Sequence, residues 1–162
     1  MSTSDHIFLR TGLTPTEAAR RIADTLGLEL SPGRRPGTQV VGGRIPGSAT
    51  YSGGWVTNNY LGNEPGEPSI MDHYDVMWEI RSTDRKEETV HAESLRLFAL
   101  VTERLRWPAM LYRNLAWLVA VWSPTDGRHD FPDRVTPHSE HQHIWEPYIP
   151  RDGKRANGRP AA

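Results

Sequence analysis

The clearest fold signal in the chain is the stretch YDVMWEIRS at residues 74–82. Apolar and aromatic side chains occupy every second position, and the positions between them are mostly charged. Successive side chains of a β-strand point to opposite faces of a sheet. The alternation therefore predicts a strand with one buried face.

The segment after this strand, residues 84–106, predicts a long amphipathic helix. Apolar residues recur at intervals of three and four positions, which places them on one face of a helix. Glu87 and Glu88 lie near its start, and Arg104 and Arg106 lie at its end. This order of charges matches the helix dipole, so it supports the same helix.

A strand and a helix are also predicted before residue 28. Residues 6–10 have the apolar centre of a short strand. Thr14 begins a helix, because its hydroxyl can accept from a backbone amide and Pro15 suits the first helical position. Gly27 ends that helix.

The rest of the chain completes the order of elements. Residues 50–61 predict a strand that Gly53 and Gly54 interrupt. Residues 109–122 must return to the core, as one long strand, as two short strands with a bend at Arg113-Asn114, or as a strand and a short helix. Glycine and proline are frequent in two further segments, which predicts loops at residues 31–47 and 62–69.

The predicted order is strand, helix, strand, strand, helix, strand. This is the βαββαβ, or ferredoxin-like, arrangement, an α+β fold in which an antiparallel sheet carries two helices on one face. We expect residues 1–124 to form this domain and residues 125–150 to be an irregular segment that wraps it. We expect residues 151–162 to be a disordered basic tail.

The composition argues against several classes of function. The 19 basic and 20 acidic side chains give a net charge of −1, which does not favour a nucleic-acid-binding protein. The chain has no cysteine, which excludes disulfides, thiolate nucleophiles and zinc fingers. Residues 1–10 do not resemble a signal peptide, and the longest apolar run is too short to cross a membrane. We therefore expect a cytoplasmic protein that contacts no membrane.

Known catalytic motifs are missing from the sequence. The glycine-rich residues 42–47 lack the spacing of a phosphate-binding loop, although Arg34, Arg35 and Arg44 are an alternative anion site. His91 and Glu93 match half of a zinc-deaminase signature, and we interpret them as a pair on a helix surface. We expect no cofactor, and an enzyme is the less favoured interpretation.

A histidine cluster near the C-terminus is the candidate for metal binding. His138, His141 and His143 are spaced so that their imidazoles can meet on one ion. The surrounding sequence is irregular and polar, however, and a metal site needs rigid support around its ligands. We favour a polar segment that contacts the domain, and a metal site is the alternative.

Residues 45–80 hold five carboxylates, five aromatic residues and no lysine or arginine. Paired carboxylates can serve as general acid and base of a glycosidase, but these pairs lie in or beside a loop, where water screens them. Several acidic groups displayed together speed association with a basic partner, and an aromatic anchor adds affinity. We therefore predict a partner-binding surface with these members: Trp55, Asn58, Tyr60, Glu64, Glu67, Asp72 and Asp75.

The chain resembles the immunity proteins of bacterial polymorphic toxin systems in general type. The resemblance lies in the small α+β build, the missing catalytic motifs and the acidic, aromatic stretch at residues 55–75, and no diagnostic motif is part of it. It implies a non-catalytic module that covers the active site of a cognate toxin. Toxins that act on nucleic acids often have basic clefts, which an acidic surface would fit.

Two other functions remain open from the sequence. The first is a small ligand-binding or enzymatic domain with a pocket between the sheet and the helices. The second is a structural or assembly subunit that uses its basic tail as an attachment arm. The oligomeric state is left open by all three hypotheses.

Overall fold

The structure is a computed structural model, and it describes residues 3–62 and 64–150. Three helices lie in these ranges: α1 (Pro15–Leu26), α2 (Glu87–Leu105) and α3 (Gln142–Trp145). The strands in the same ranges are β1 (Asp5–Leu9), β2 (Glu29–Pro32), β3 (Gln39–Gly43), β4 (Ser52–Asn58), β5 (Val76–Ser82), β6 (Ala109–Arg113), β7 (Trp117–Ser123) and β8 (Gly127–Asp130).

Within the described ranges the strands form one antiparallel sheet in the order β2-β3-β4-β5-β1-β6-β7-β8. The first strand lies near the centre, where Ile7 pairs with Trp78 of β5 and with Leu111 of β6. Consecutive strands are neighbours within the group β2 to β5 and within the group β6 to β8. The helices α1 and α2 connect β1 to the first group and the first group to the second.

The ends of α1 follow the residues that predict them. The Thr14 hydroxyl accepts a hydrogen bond from the Glu17 amide at 3.2 Å, and Pro15 occupies the first turn. Gly27 ends the helix in the left-handed region, with φ at 68°, where glycine has no Cβ to clash. This predicted helix is confirmed.

One hydrophobic cluster lies between the sheet and the two long helices. Leu97 and Phe98 of α2 and Ile22 of α1 are fully buried in it. The strands contribute every second side chain, among them Ile7 and Trp78. The Trp78 Nε1 atom donates to the Val41 carbonyl of β3 at 3.2 Å, so the indole spans from β5 across to β3.

A second hydrophobic cluster covers part of the opposite face. Phe8 lies at its centre and meets the rings of Tyr74 and Tyr112 edge-on, with centroids 6.4 and 6.1 Å away. Burial raises the pKa of Tyr74 above its ordinary value. Trp145 of α3 is buried in the same cluster, and its Nε1 atom donates to the His138 carbonyl at 2.9 Å.

The predicted α+β class is confirmed, and so is a single antiparallel sheet. The ferredoxin-like order is not confirmed, because the described residues form eight strands and an open sheet. Two of the additional strands, β2 and β3, overlap residues 31–47, which we expected to be a loop. Another, β8, falls in the segment that we expected to be irregular.

Glycines at residues 42 and 43 hid β3 from sequence reasoning, and Gly53 and Gly54 interrupt the sequence pattern of β4. Gly53 of β4 has φ at 137°, and a Cβ added there would overlap the Val41 carbonyl oxygen. A Cβ added to Gly42 of β3 would lie 2.9 Å from a ring carbon of Tyr51. Glycine in these strands therefore marks a close approach of chain segments rather than the end of a strand.

The ambiguous segment at residues 109–122 forms two strands, β6 and β7. Residues 114–116 connect them, and Asn114 and Leu115 both have φ at 53°. Positive φ at both central residues matches the right-handed twist of a tight hairpin. Of the three alternatives, the two short strands with a bend near Arg113 and Asn114 are therefore confirmed.

The segment after β8 packs along the second cluster. Phe131 is buried there, and the Tyr148 ring stacks on His129 with centroids 3.9 Å apart. The expected disordered tail, residues 151–162, lies outside the described residues. Among the helices that are described, none is both long and apolar enough to span a membrane.

Candidate functional site

Among the described residues, no hydrophobic cluster covers β3 and β4 on the face opposite α1 and α2. Val56 of β4 belongs to the helix-side cluster, so its neighbour Trp55 points to the other side. The second cluster contains no residue of β3 or β4. Trp55 is 44% exposed there, with Val40 of β3 paired beside it. We call the surface formed by Val40, Trp55 and Thr57 the open face.

A groove of about 560 Å³ borders the open face. Trp55, Asn58 and Tyr60 line one side of it, and the turn between β2 and β3 brings Arg34 and Arg35 to the other. We call it the Trp55 groove. Tyr60 is 72% exposed, so the groove presents two large aromatic rings to solvent.

The turn at residues 33–38 is closed by its own hydrogen bonds. The Thr38 amide and hydroxyl both donate to the Arg35 carbonyl, at 3.2 and 2.7 Å, and the Gly33 amide donates to the Thr38 carbonyl at 2.9 Å. Within the described ranges, the guanidinium groups of Arg34 and Arg35 have no hydrogen bond or ion pair. These two cations are therefore available to a ligand.

Arg81 of β5 makes a cation–π contact with the Trp55 ring. Its guanidinium carbon lies 5.8 Å from the ring centroid, and its Nε atom lies 2.6 Å from Glu79 Oε1. Burial raises the pKa of Glu79, but the neighbouring His6 ring, with Nε2 3.7 Å from Oε2, and the charge of Arg81 outweigh it and hold that pKa below its ordinary value. The ionised carboxylate thus anchors the arginine that contacts Trp55.

A second groove, of about 520 Å³, lies beyond this arginine. Tyr51, Arg81 and Arg85 are among the residues that line it. The Tyr51 hydroxyl donates to Glu29 Oε2 at 2.8 Å, and this bond and partial burial raise the pKa of the phenol. Tyr51 is also exposed, so aromatic and cationic groups continue past Trp55 along the same face.

The structure brings together only part of the predicted partner-binding surface. Trp55, Asn58 and Tyr60 line one groove. Glu64 and Glu67 are exposed as predicted side chains of a loop, but they line a separate pocket of about 180 Å³ beside His138 and Ser139. The exposed acidic groups therefore lie in a different pocket from the aromatic groups.

The last two predicted residues have internal partners. Asp72 is 5% exposed, and its Oδ2 atom accepts from the Ser69 amide at 3.1 Å within a capping box. Asp75 accepts from the amides of Thr11 and Gly12 at 2.7 and 2.9 Å. These two carboxylates thus make hydrogen bonds within the chain. Of the four carboxylates in the predicted surface, Glu64 and Glu67 are the exposed ones.

The histidine cluster does not form a metal centre. Among the residues described, no three histidine, aspartate or glutamate side chains are arranged to hold an ion. The Nδ1 atom of His141 accepts from the Thr136 amide at 2.8 Å, which directs that ring towards the backbone. The His91-Glu93 pair also differs from the surface pair we expected, because Glu93 is buried and contacts Ser48 and Thr50.

Sequence reasoning did not place Arg34, Arg35, Tyr51 and Arg81 at this site. It noted the first two as anion-attracting groups, but a loop assignment for residues 31–47 gave no reason to bring them near Trp55. The signal was present in QVVGG at residues 39–43, which is a short strand with two glycines. Pairing of that strand with β4 brings the turn to the indole.

No family model, curated protein or solved structure is significantly similar to this chain.

Proposed function

We propose that the chain is a non-catalytic protein-binding module that neutralises a cognate partner, as an immunity protein does when it covers a toxin active site. The observation that carries the proposal is the Trp55 groove, where exposed aromatic rings lie beside the guanidinium groups of Arg34 and Arg35, for which the described part of the chain offers no hydrogen bond or ion pair. The immunity role itself rests on the general resemblance in build and composition described above.

Binding energy in protein interfaces concentrates in tryptophan, tyrosine and arginine. An antiparallel sheet commonly has one solvated face, and that face is ordinarily polar. Trp55 of β4 departs from that pattern, and the exposed Tyr60 follows in the loop just after the strand. Because Trp55 is held on a strand and by Arg81, little side-chain freedom is lost when a partner covers it.

The exposed charged side chains define the chemistry of the partner. Arg34 and Arg35 would face carboxylates of the partner at the groove. Glu64 and Glu67 would face its basic groups at the neighbouring loop. We therefore propose a partner whose contact surface carries both signs, with the basic groups belonging to the active site that is covered.

A capture experiment with matched variants tests the binding role. The tagged chain would be used to retain proteins from cells of its source organism, and the retained proteins identified by mass spectrometry. We expect Trp55→Ala to lose a partner that the unmodified chain and Trp117→Ala both retain. Trp117 is a suitable control because it is 38% exposed and lies outside the Trp55 groove.

The affinity for the purified partner then measures the size of the effect. Truncation of an anchoring aromatic residue costs about 2 kcal/mol or more, which is about 30-fold in Kd. An unchanged Kd for Trp55→Ala, with circular dichroism showing an intact fold, would refute the open face as the interface. An equal loss in Trp117→Ala would also refute it.

The neutralising role needs a separate measurement. If the partner arrests growth when it is expressed alone, co-expression of this chain should restore growth and the Trp55→Ala variant should not. A partner that binds through the groove but has no toxic or catalytic activity would refute neutralisation while leaving the binding role intact.

A further inference from the structure

A second site lies on the helix side of the sheet, where β1 meets α2. Asp5 is 1% exposed, and its Oδ1 atom accepts from the Asn114 amide at 3.1 Å. Its Oδ2 atom lies 3.1 Å from Nδ1 of His91. A carboxylate that is buried to this extent needs such partners, because an unpaired buried charge is strongly unfavourable.

This contact orients the His91 ring. An ionised carboxylate only accepts hydrogen bonds, so a hydrogen bond from His91 to ionised Asp5 requires the proton on Nδ1. The Nε2 atom has no hydrogen-bond partner within residues 3–62 and 64–150. A carboxylate that fixes one nitrogen and leaves the other available is the arrangement that prepares an imidazole to meet a ligand.

The ring lines a pocket of about 290 Å³. We call it the His91 pocket; Arg113, Trp117, Asp133 and Arg134 also line it. It lies where α2, β6 and β7 meet the segment after β8 at residues 131–134, and none of its lining residues lines the Trp55 groove. Its volume is at the small end of ligand sites in proteins.

Basic side chains outnumber acidic ones among the residues that line the His91 pocket. Arg113 makes an exposed, 3.4 Å ion pair with Glu87, which is a weak interaction in water. Arg134 has φ at 64°, a conformation that costs a non-glycine residue energy and is often kept where function requires it. Two guanidinium groups and an imidazole thus line the pocket together with one carboxylate, Asp133, whereas Glu87 and Asp5, the partners of Arg113 and His91, are not among its lining residues.

We infer that the His91 pocket binds a small oxyanion, the carboxylate or phosphate group of a small molecule. The forked guanidinium groups of Arg113 and Arg134 match the planar or tetrahedral oxygens of such a group. When the imidazole carries both protons, Nδ1 donates to Asp5 and Nε2 donates to the bound oxygen. This site stands independently of the protein-binding role, because no residue belongs to both.

Nuclear magnetic resonance of the His91 ring tests this inference on the whole chain. Nitrogen-15 shifts should show the proton on Nδ1 in the neutral ring. Titration with sodium phosphate and with sodium acetate, at constant ionic strength held with chloride, should give a saturable shift of the ring signals for at least one anion. The anion that saturates at the lower concentration identifies the preferred oxyanion.

Two variants establish where the anion binds. Arg134→Gln should weaken binding at least five-fold, whereas Arg20→Gln, an exposed arginine of α1, should leave it unchanged. The inference is wrong if the shifts follow ionic strength alone, or if Arg134→Gln binds as the unmodified chain does. It is also wrong if the neutral ring carries its proton on Nε2. Trp55→Ala should bind the anion normally whether or not the proposed protein partner exists.

Discussion

Replacement of Asp75 by alanine distinguishes a structural carboxylate from a partner-binding one. The sequence predicted that Asp75 contacts a partner, whereas the structure gives it three hydrogen bonds within the chain. It accepts from the amides of Thr11 and Gly12 at 2.7 and 2.9 Å and from the Thr11 hydroxyl at 3.1 Å. These bonds tie the loop after β1 to the start of β5, so we expect Asp75→Ala to destabilise the fold.

The size of the loss follows from the number and exposure of these bonds. A hydrogen bond to a charged group contributes about 1.5–3 kcal/mol when it is buried. The Asp75 bonds are partly buried or exposed, and water can replace part of each one. We therefore expect the two amide bonds to contribute about 1 kcal/mol each, and Asp75→Ala to lower the free energy of unfolding by about 2 kcal/mol.

Urea denaturation followed by tryptophan fluorescence measures this change. With an m-value of about 1–3 kcal/mol per molar urea, a loss of 2 kcal/mol lowers the midpoint by about 1 M. Glu67→Ala is the matched control, because Glu67 is exposed, and its change should stay below about 0.5 kcal/mol. Asp75→Asn retains one acceptor oxygen and should fall between the two.

An equal urea midpoint for Asp75→Ala and Glu67→Ala would contradict this expectation. In that case the hydrogen bonds to residues 11 and 12 contribute no net stability. If the same variant also bound the partner more weakly while the fold was unchanged, Asp75 would belong to the recognition surface, as the sequence predicted.

Three further perturbations test other parts of the fold. The pKa of Glu79 is held below its ordinary 4.5, so in acid the unfolded state binds more protons than the folded state. Stability should therefore fall as the pH drops below about 4.5. Thermal melts should show a smaller loss of stability in acid for Glu79→Gln than for the unmodified chain. Gly54→Ala places a Cβ against the Glu79 carbonyl and should lower the free energy of unfolding, measured in urea, by more than about 2 kcal/mol. Gly66→Ala is its control, because a Cβ there meets no atom within 4 Å. It should lose only about 1–2 kcal/mol, which is the cost of a positive φ for alanine. Trp145→Ala should cost about 3–5 kcal/mol by the same measurement, because the indole is 1% exposed; a loss below 1 kcal/mol would show that α3 is not part of the core.

Local sequence patterns predicted the elements whose signals lie within a few residues. The alternation at residues 74–82 predicted β5, and the capping residues Thr14 and Gly27 predicted both ends of α1. In each case the determining forces act between near neighbours along the chain, by side-chain alternation or by a hydrogen bond to a nearby amide. Such patterns can be recognised in one sequence.

The short strands at the edges were missed for the converse reason. The strand β3 has two glycines in five residues and β2 ends in proline, and these residues ordinarily disfavour strands. They form strands here because β4 offers partners for their backbone groups and because glycine permits the close approach. That advantage exists only when distant segments meet.

The candidate site also combines features that local sequence shows with features that depend on distant contacts. The sequence alone shows that residues 45–80 contain Trp55, Tyr60 and five carboxylates but no lysine or arginine, since composition and order are local properties. Contacts between distant segments are what tie Asp75 to the amides of residues 11 and 12, and what bring Arg34 and Arg35 to the groove that Trp55 lines. The direction in which a side chain points depends on strand pairing and on what covers each face of the sheet, and both are set by contacts between residues far apart in sequence.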